Sequence, residues 1–396
     1  MMEKGRQKIW NPLFTTIFIA NACMNLSQQM MNSLVSKYAD YLGAAATVVG
    51  IVASIYSVTA LIFKIISGPV IDTYNRRFIL SGTMLIMAVS FFGYGIAGNV
   101  PALIGLRLLQ GVGQAFTSTC CLALAADTLP KEKFGSGIGV FSMAQAASQA
   151  IGPTIALGLI GVCGYQATFM IGSGIMVFAA FLATRVKVPY QKAKKLKISV
   201  KSIVAKEAIM PAFIIFLMSL TYFVVNSFLI VYAGKIGVAN IGYYFTVFAG
   251  TMLITRPMIG KLTDRYGLVK IVVPSLICFA ASFLIISYSR SLPMFLLAAF
   301  VAAFGYGASQ PAIQALSLKC VPKERRGAGS STNFIGTDLG SLLGPILAGA
   351  VADLLGYEVM WRVMILPVVF ALVIVLFSRK RISRMEENFK LMQQEE

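Results

Sequence analysis

Long apolar runs recur along the whole chain and limit its fold more than any other feature. A helix needs about 20 mostly apolar residues to cross a bilayer, and twelve such runs can be marked. They span residues 11–35, 45–68, 78–98, 101–125, 137–159, 165–185, 209–232, 241–262, 270–288, 293–317, 329–350 and 359–378. Only 12% of the 396 residues are charged, too few to cover the surface of a soluble globule. These features predict an all-α polytopic membrane protein with twelve transmembrane helices.

The basic residues are distributed unevenly between the two ends of the predicted helices. With the N-terminus inside, 27 of the 34 Lys and Arg residues fall in inner segments, and the outer connections hold Lys37, Lys235 and Arg290. This is the positive-inside pattern, so we expect both termini to lie in the cytoplasm. We also expect the chain to lie in the plasma membrane of the cell. The net charge of +19 is then mainly a topology signal. The expected partners are the lipid bilayer and small molecules, with no nucleic acid, and the protein is expected to be a monomer.

The two halves of the chain repeat each other. A single offset of 192 residues, without gaps, aligns Asp72 with Asp264, Gly152-Pro153 with Gly344-Pro345, and Gly164 with Gly356. The long connection between the sixth and seventh runs divides the twelve runs equally. We therefore expect two pseudo-symmetric six-helix bundles, as in transporters built from parallel repeats. The predicted divisions are a bundle over 1–185, a basic cytoplasmic linker over 186–208, a bundle over 209–380 and a cytoplasmic tail over 381–396.

A charged motif lies between the second and third runs. It has the sequence Gly68-Pro-Val-Ile-Asp72-Thr-Tyr-Asn-Arg76-Arg77, which matches the GxxxDRxGRRxxL signature of the major facilitator superfamily except at positions 73 and 75. The second copy keeps Asp264 and Arg265 but lacks the basic pair that follows.

Two further motifs agree with this resemblance. The fourth run contains Arg107 three residues before Gln110-Gly111, and the fifth contains Ser148 four residues before Gly152-Pro153. The chain thus resembles the superfamily over nearly its whole length and, within it, the twelve-span drug:proton antiporter branch. The resemblance implies a secondary transporter that works by alternating access.

The resemblance also implies an inner gate made of charges. Asp72 would accept hydrogen bonds at the positive N-terminus of the eleventh span, and Arg76 would pair with Asp127. The predicted gating charge network comprises Asp72, Arg76, Arg77, Asp127, Asp264 and Arg265. The alternative is a solvated turn whose basic residues only set the orientation of the chain in the membrane.

Two charges are expected at membrane depth. Arg107 lies about six residues into the fourth span, and Asp338 lies near the middle of the eleventh. A charge at that depth costs about 2.5–3.5 kcal/mol, so it normally faces a partner or a wet cavity. We therefore predict that Asp338 and Arg107 couple transport to protons. The alternatives are snorkelling of Arg107 to the outer surface and a purely structural hydrogen bond for Asp338.

Side-chain amides fall where lipid cannot satisfy them. Four in the first run share one helix face by their spacing, with Asn32 the last of them. The predicted substrate-cavity residues are Asn21, Asn25, Gln28, Gln114, Asn226, Gln310 and Gln314. Aromatic surface is expected from Tyr56, Phe116, Tyr222, Tyr244 and Tyr306. The Gly-Pro pairs Gly152, Pro153, Gly344 and Pro345 are predicted hinges, because they permit bends and close backbone approach.

The leading functional prediction is proton-coupled efflux of a small amphipathic or organic compound. The alternative is uptake or exchange of an organic anion or nutrient, which an excess of cavity arginines (Arg107, Arg256, Arg362) over Asp338 would favour. A membrane enzyme or receptor is disfavoured, because the chain has no His and shows no metal-ligand or Walker motif. We therefore expect no enzymatic activity, no metal and no cofactor.

Overall fold

The first half of the protein is a series of long α-helices. The computed structural model describes residues 10–128, 134–186, 204–321 and 326–394, and within these ranges it contains helices and no strand. The helices of the first half are α1 (Pro12–Tyr41), α2 (Ala46–Ser54), α3 (Tyr56–Thr73), α4 (Arg76–Ile96), α5 (Val100–Thr128) and α6 (Phe134–Arg185). The predicted all-α fold class is confirmed.

The second half continues in the same way. Its helices are α7 (Ile209–Lys235), α8 (Tyr243–Tyr266), α9 (Leu268–Tyr288), α10 (Leu292–Lys319), α11 (Arg326–Leu355), α12 (Tyr357–Val363), α13 (Ile365–Phe377) and α14 (Arg379–Gln394). The predicted linker, 186–208, lies mostly outside the described residues. The predicted tail, 381–396, is helical through α14 over its described part.

Each of the twelve apolar runs coincides with helix, although the helices are not always continuous. In the part of the chain that the structure describes, eight helical segments are long and apolar enough to cross a membrane, and the count of twelve spans stays a prediction. The second span is divided at Ile55 and the twelfth at Met364. The fifth and sixth spans together form α6, which is interrupted at Gly164, where φ is 76°.

The sequence repeat is reproduced in the helices. Helices α4 and α9 are both 21 residues long and begin 192 residues apart. Gly164 and its equivalent Gly356 both have positive φ, 76° and 83°, a conformation that glycine adopts without steric cost. A Cβ on Gly113 would lie 2.6 Å from Met87, and a Cβ on its equivalent Gly305 would lie 2.6 Å from Phe279, at matching positions of α4 and α9.

The chain forms two compact units whose boundaries differ from those of the repeats. The first comprises Met1–Val35 and Val58–Ile198, and the second comprises Ser36–Ser57 and Ser199–Glu396. In the first unit, α4 packs against both α5 and α6. In the second, α11 packs against α7 and, on another side, against α2.

Small residues allow α11 to approach its neighbours closely. Gly336, Gly340 and Gly344 recur every four residues on one face of α11, directly against the backbone of α7. On the side that faces α2, Gly349 meets the backbone of Ala46. Such stripes are typical of tightly packed membrane helices, which gain van der Waals contact from them.

Candidate functional site

Arg107 lies inside the first unit, in a hydrogen-bonded network with three other polar residues. Its side chain is only 1% exposed. Its Nη1 donates hydrogen bonds to Asn32 Oδ1 at 2.8 Å and to Gln110 Oε1 at 2.7 Å, and the Tyr94 hydroxyl donates to the same Gln110 oxygen at 2.6 Å. This polar network (Asn32, Tyr94, Arg107, Gln110) connects α1, α4 and α5. Since Arg107 is buried, its guanidinium does not snorkel to the surface.

The second unit has no such network at the equivalent positions. An offset of 192 residues relates the four polar residues to Val224, Ile286, Ala299 and Ala302, all of which are at most 2% exposed. Apolar side chains at these four positions are therefore compatible with the helix packing. Burying an arginine is costly unless its hydrogen bonds are satisfied. The network is thus a specific addition to one unit rather than a requirement of the helix packing.

Asp338 lies in the second unit, half-buried on α11. Its backbone carbonyl accepts a hydrogen bond from the Ser341 hydroxyl at 2.8 Å. The same hydroxyl lies 3.0 Å from that of Ser57, at the start of α3. Asp338 therefore sits one turn from the point where the end of the Ser36–Ser57 segment meets α11.

The predicted cavity amides behave in different ways. Asn25 Nδ2 donates to the carbonyl and side-chain oxygens of Asn21 at 2.8 and 2.9 Å, and Asn21 donates to the Phe141 carbonyl at 3.4 Å. These two amides thus connect α1 to α6, whereas Gln28 is half-buried. Gln114 Oε1 is buried without a hydrogen-bond partner among the described residues, so it is an available acceptor.

Aromatic side chains from four helices converge in the second unit. The rings of Tyr222 and Tyr306 are parallel, with centroids 4.0 Å apart. Phe248 lies 6.0 Å from Tyr222, and Phe279 lies 5.5 Å from Tyr306. Tyr244 stacks on Phe248 at 6.4 Å, which completes what we call the aromatic cluster. Tyr222, Tyr244 and Tyr306 were predicted from the sequence, whereas Phe248 and Phe279 were not.

Four side chains of the aromatic cluster border a narrow cavity together with Asn226, and the fifth, Tyr306, lies behind them against Tyr222. The cavity has a volume of only about 10 Å³, far below the roughly 300–1,000 Å³ of typical small-molecule sites, so its walls must move apart to admit a ligand. Asn226 Nδ2 donates to the Tyr222 carbonyl at 3.4 Å, and Gln310 donates to Gln314 at the same distance. At the equivalent positions, the first half has Met30, Val52, Tyr56, Met87 and Gln114. The cluster is therefore another feature of one half only.

Asp353 fixes the N-terminus of α2, and no sequence motif indicated this role. Its Oδ1 accepts from the Ala46 N–H at 2.8 Å, and its Oδ2 accepts from the N–H and the hydroxyl of Thr47 at 2.8 and 2.5 Å. The N-cap of α2 is Ala45, which offers no side-chain hydrogen bond. An acid at a helix N-terminus satisfies free N–H groups and the helix dipole. A second contact nearby joins Lys235 to Asp40 at 3.2 Å.

The predicted inner gate is only partly described. The side chains of Asp72, Asp127 and Asp264 lie outside the described residues, so their pairing stays a prediction. Arg76 Nε donates to the Ile71 carbonyl at 3.4 Å. Arg77 and Arg265 lie over the rings of their neighbours in sequence, at 4.5 Å from Phe78 and 5.2 Å from Tyr266.

The predicted hinge glycines lie at close helix contacts. A Cβ on Gly152 would lie 2.8 Å from Gln29 Cβ of α1, and one on Gly344 would meet the Leu220 carbonyl of α7. Pro153 lies inside α6, and Pro345 inside α11. Their role in bending stays a prediction.

Arg362 contacts the end of α9. Its side chain is exposed, lies 4.7 Å from the ring of Tyr288 and donates to the Ser287 hydroxyl at 3.5 Å. Its contribution of positive charge to a cavity stays a prediction.

The chain is similar to known membrane proteins over nearly its whole length. A family model described as Major Facilitator Superfamily matches residues 17–239 and 211–392. The multi-drug resistance efflux pump PmrA of Streptococcus pneumoniae is 26% identical over 393 residues, which cover 93% of this chain and 96% of that protein. An uncharacterised MFS-type transporter of Methanocaldococcus jannaschii is 24% identical, over 97% of this chain and 99% of that one.

A solved structure gives the same result for the fold. The nucleoside transporter NupG superposes with a TM-score of 0.77 at 14% identity, over 93% of this chain and 100% of that one. Because the family model covers nearly the whole chain, the protein belongs to the Major Facilitator Superfamily and is a multi-pass membrane transporter of small molecules.

Proposed function

We propose that the protein exports a small amphipathic organic compound with an aromatic group in exchange for protons. The observation that carries the proposal is the difference between the two halves. One half holds the buried polar network around Arg107, and the other holds the aromatic cluster, although the two halves share one helix plan. The name of the PmrA relative, a multi-drug resistance efflux pump, supports efflux as the direction.

Asp338 and Arg107 are the proposed proton-coupling residues. A carboxylate within the membrane can bind and release a proton as its surroundings change, because desolvation and nearby cations act on it in opposite directions. The polar network holds the Arg107 guanidinium in one orientation through two acceptors. A fixed cation in a low-dielectric interior interacts strongly with anionic groups that enter or leave its vicinity. In one transport cycle, the protein would then bind a proton at Asp338 at one stage and the substrate at another.

The aromatic cluster is the proposed substrate surface. Tyr and Phe rings bind apolar and aromatic groups through area burial and offset stacking, and their faces attract organic cations. Asn226, which borders the same cavity, supplies a polar group that can orient a bound compound.

The Asp353 contact is the proposed latch on the outer side. The positive-inside pattern places the N-terminus of α2 and the C-terminus of α11 at the outer ends of their spans. While Asp353 holds α2 against α11, these ends are joined. The outward-open state would then require these hydrogen bonds to break. Asp353 would therefore influence the equilibrium between the outward-open and inward-open states.

Tyr306 is expected to contribute to binding through Tyr222, whose ring borders the cavity and stacks on that of Tyr306. Tyr306→Leu removes the ring that stacks on Tyr222, and should raise the half-saturating concentration of an aromatic substrate about tenfold, from the roughly 0.5–1.5 kcal/mol of an aromatic pair plus lost contact area. Tyr306→Phe keeps the ring and serves as the matched control. Dye efflux from cells, measured against dye concentration, separates the two variants. An equal loss in both would point to the hydroxyl, and unchanged saturation in Tyr306→Leu would remove the cluster from the binding site.

Uptake or exchange of an organic anion is the second candidate, favoured by the buried Arg107. Membrane vesicles that contain the protein distinguish the candidates. Everted vesicles are offered a planar cationic dye, such as ethidium, and right-side-out vesicles are offered a set of radiolabelled carboxylates. We expect energy-dependent accumulation of the dye. Accumulation of the carboxylates alone would support the anion transporter and overturn the proposed efflux.

A further inference from the structure

A second and larger cavity lies in the second unit, between the start of α9 and the C-terminal helix α14. Its volume is about 610 Å³, within the range of small-molecule sites. Helix α14 is anchored beside it by Ile382, which is 0% exposed. Glu386 sets the position of α14, since its Oε2 accepts from the Leu268 N–H at 3.1 Å and its Oε1 lies 3.9 Å from Lys319.

The cavity is strongly basic. Four exposed cations line it, namely Lys270, Arg379, Lys380 and Arg384. The carboxylate that also borders the cavity, Glu386, is engaged by Leu268 and Lys319. None of the four cations forms an ion pair within the ranges that the structure describes. The cavity therefore has the charge that a phosphate group requires, together with a hydroxyl donor, Ser383.

These charges converge more closely than membrane topology alone requires. Lys380, Ser383 and Arg384 are three and four residues apart, so they share one face of α14. Arg381 lies on the same helix and is exposed but does not border the cavity. At an offset of 192 residues, Arg379 and Arg384 correspond to Lys187 and Lys192, whereas Lys270 and Lys380 correspond to Phe78 and Val188. The repeat therefore accounts for only two of the four cations.

The cavity also adjoins apolar surface at the end of a predicted membrane span. Phe377, the last residue of α13, is 88% exposed, and Tyr266, which borders the cavity, is 47% exposed. The positive-inside pattern places this end of the spans at the inner leaflet, where anionic lipids are found. We propose that the cavity binds the phosphate of an anionic phospholipid headgroup, while the acyl chains lie along the exposed apolar side chains beside it.

The test uses the full-length protein in nanodiscs that contain phosphatidylglycerol in increasing proportion against phosphatidylcholine. We expect phosphatidylglycerol to raise the melting temperature, and Lys380→Gln/Arg384→Gln to raise the half-saturating mole fraction about ten- to thirtyfold, from roughly 1 kcal/mol for each cation. Arg384→Gln alone should show about a third to a tenth of the wild-type apparent affinity. Arg381→Gln makes the same charge change at a position of α14 that does not border the cavity, and should match the wild type.

Three results would overturn the proposal. The first is a wild-type melting temperature that does not depend on phosphatidylglycerol, and the second is an equal loss in Arg381→Gln and Arg384→Gln. The third concerns the source of the phosphate: if millimolar inorganic phosphate stabilises the detergent-solubilised protein as fully as the lipid does, and Arg384→Gln abolishes that effect, the site binds free phosphate instead.

Discussion

Arg107→Gln is expected to reduce gradient-driven transport at least a hundredfold, the largest effect that we predict. The substitution removes the cation that Asn32 and Gln110 orient, and it leaves buried acceptors without their donor, which costs about 1–3 kcal/mol in stability. Loss of transport alone would therefore be ambiguous. Thermal unfolding in detergent has to be measured for the same variant, so that the amount of folded protein is known.

A matched control follows from the repeat. Replacing the network with the residues of the second half gives the variant Asn32→Val, Tyr94→Ile, Arg107→Ala, Gln110→Ala, which copies Val224, Ile286, Ala299 and Ala302. Because it removes all four hydrogen-bonded residues together, we expect it to lose less stability than the sum of the single variants. We also expect it to be inactive in transport. A folded quadruple variant with normal gradient-driven transport would show that the network serves packing alone.

Asp353→Ala should open the outer end of the α2–α11 contact. Without its carboxylate, α2 loses the acceptors for the N–H groups of Ala46 and Thr47. Loss of a helix cap costs about 0.5–2 kcal/mol, and about 1.4 kcal/mol corresponds to a tenfold change in an equilibrium. We therefore expect roughly tenfold greater accessibility from outside for residues beneath the contact, and reduced coupling because the two states are no longer balanced.

The measurement is labelling of Ser341→Cys in a background that lacks the six native cysteines. Ser341 is 5% exposed, so a membrane-impermeant maleimide added to intact cells should react with it slowly unless the outer end opens. Glu358→Ala is the control, because this carboxylate pairs with Arg290 and not with α2. An unchanged labelling rate in Asp353→Ala, or an equal rise in Glu358→Ala, would show that Asp353 is not a latch.

The helices and the hydrogen-bonded burial of Arg107 could be predicted because both depend on local physics. The apolar runs must form helices in lipid, and an arginine in such a run is costly unless it has partners. The motif around Arg107 includes Gln110, and the polar face of the first span includes Asn32. That these residues meet with Tyr94 depends on the packing of three helices, which no single run encodes.

The remaining features arise from contacts between distant segments. Asp353 caps a helix 307 residues earlier in the chain, so no local pattern connects the two. Phe248 and Phe279 are ordinary apolar residues of their spans until α8 and α9 bring them to Tyr222 and Tyr306. The interruption at Ile55 contains neither glycine nor proline, the usual sequence signals of a broken helix. The one at Met364 lies three residues before Pro367, which cannot donate a hydrogen bond to the carbonyl of residue 363.

Proton coupling can be measured most directly with purified protein in proteoliposomes, where substrate movement and internal pH are followed together. Proton-coupled export requires that an imposed pH gradient drives ethidium against its concentration gradient, with a matching proton flux in the opposite direction. Asp338→Asn should lose both of these fluxes yet retain exchange of labelled for unlabelled dye across the membrane. Substrate movement that ignores the pH gradient in the wild type, or full gradient-driven transport in Asp338→Asn, would contradict the proposed coupling.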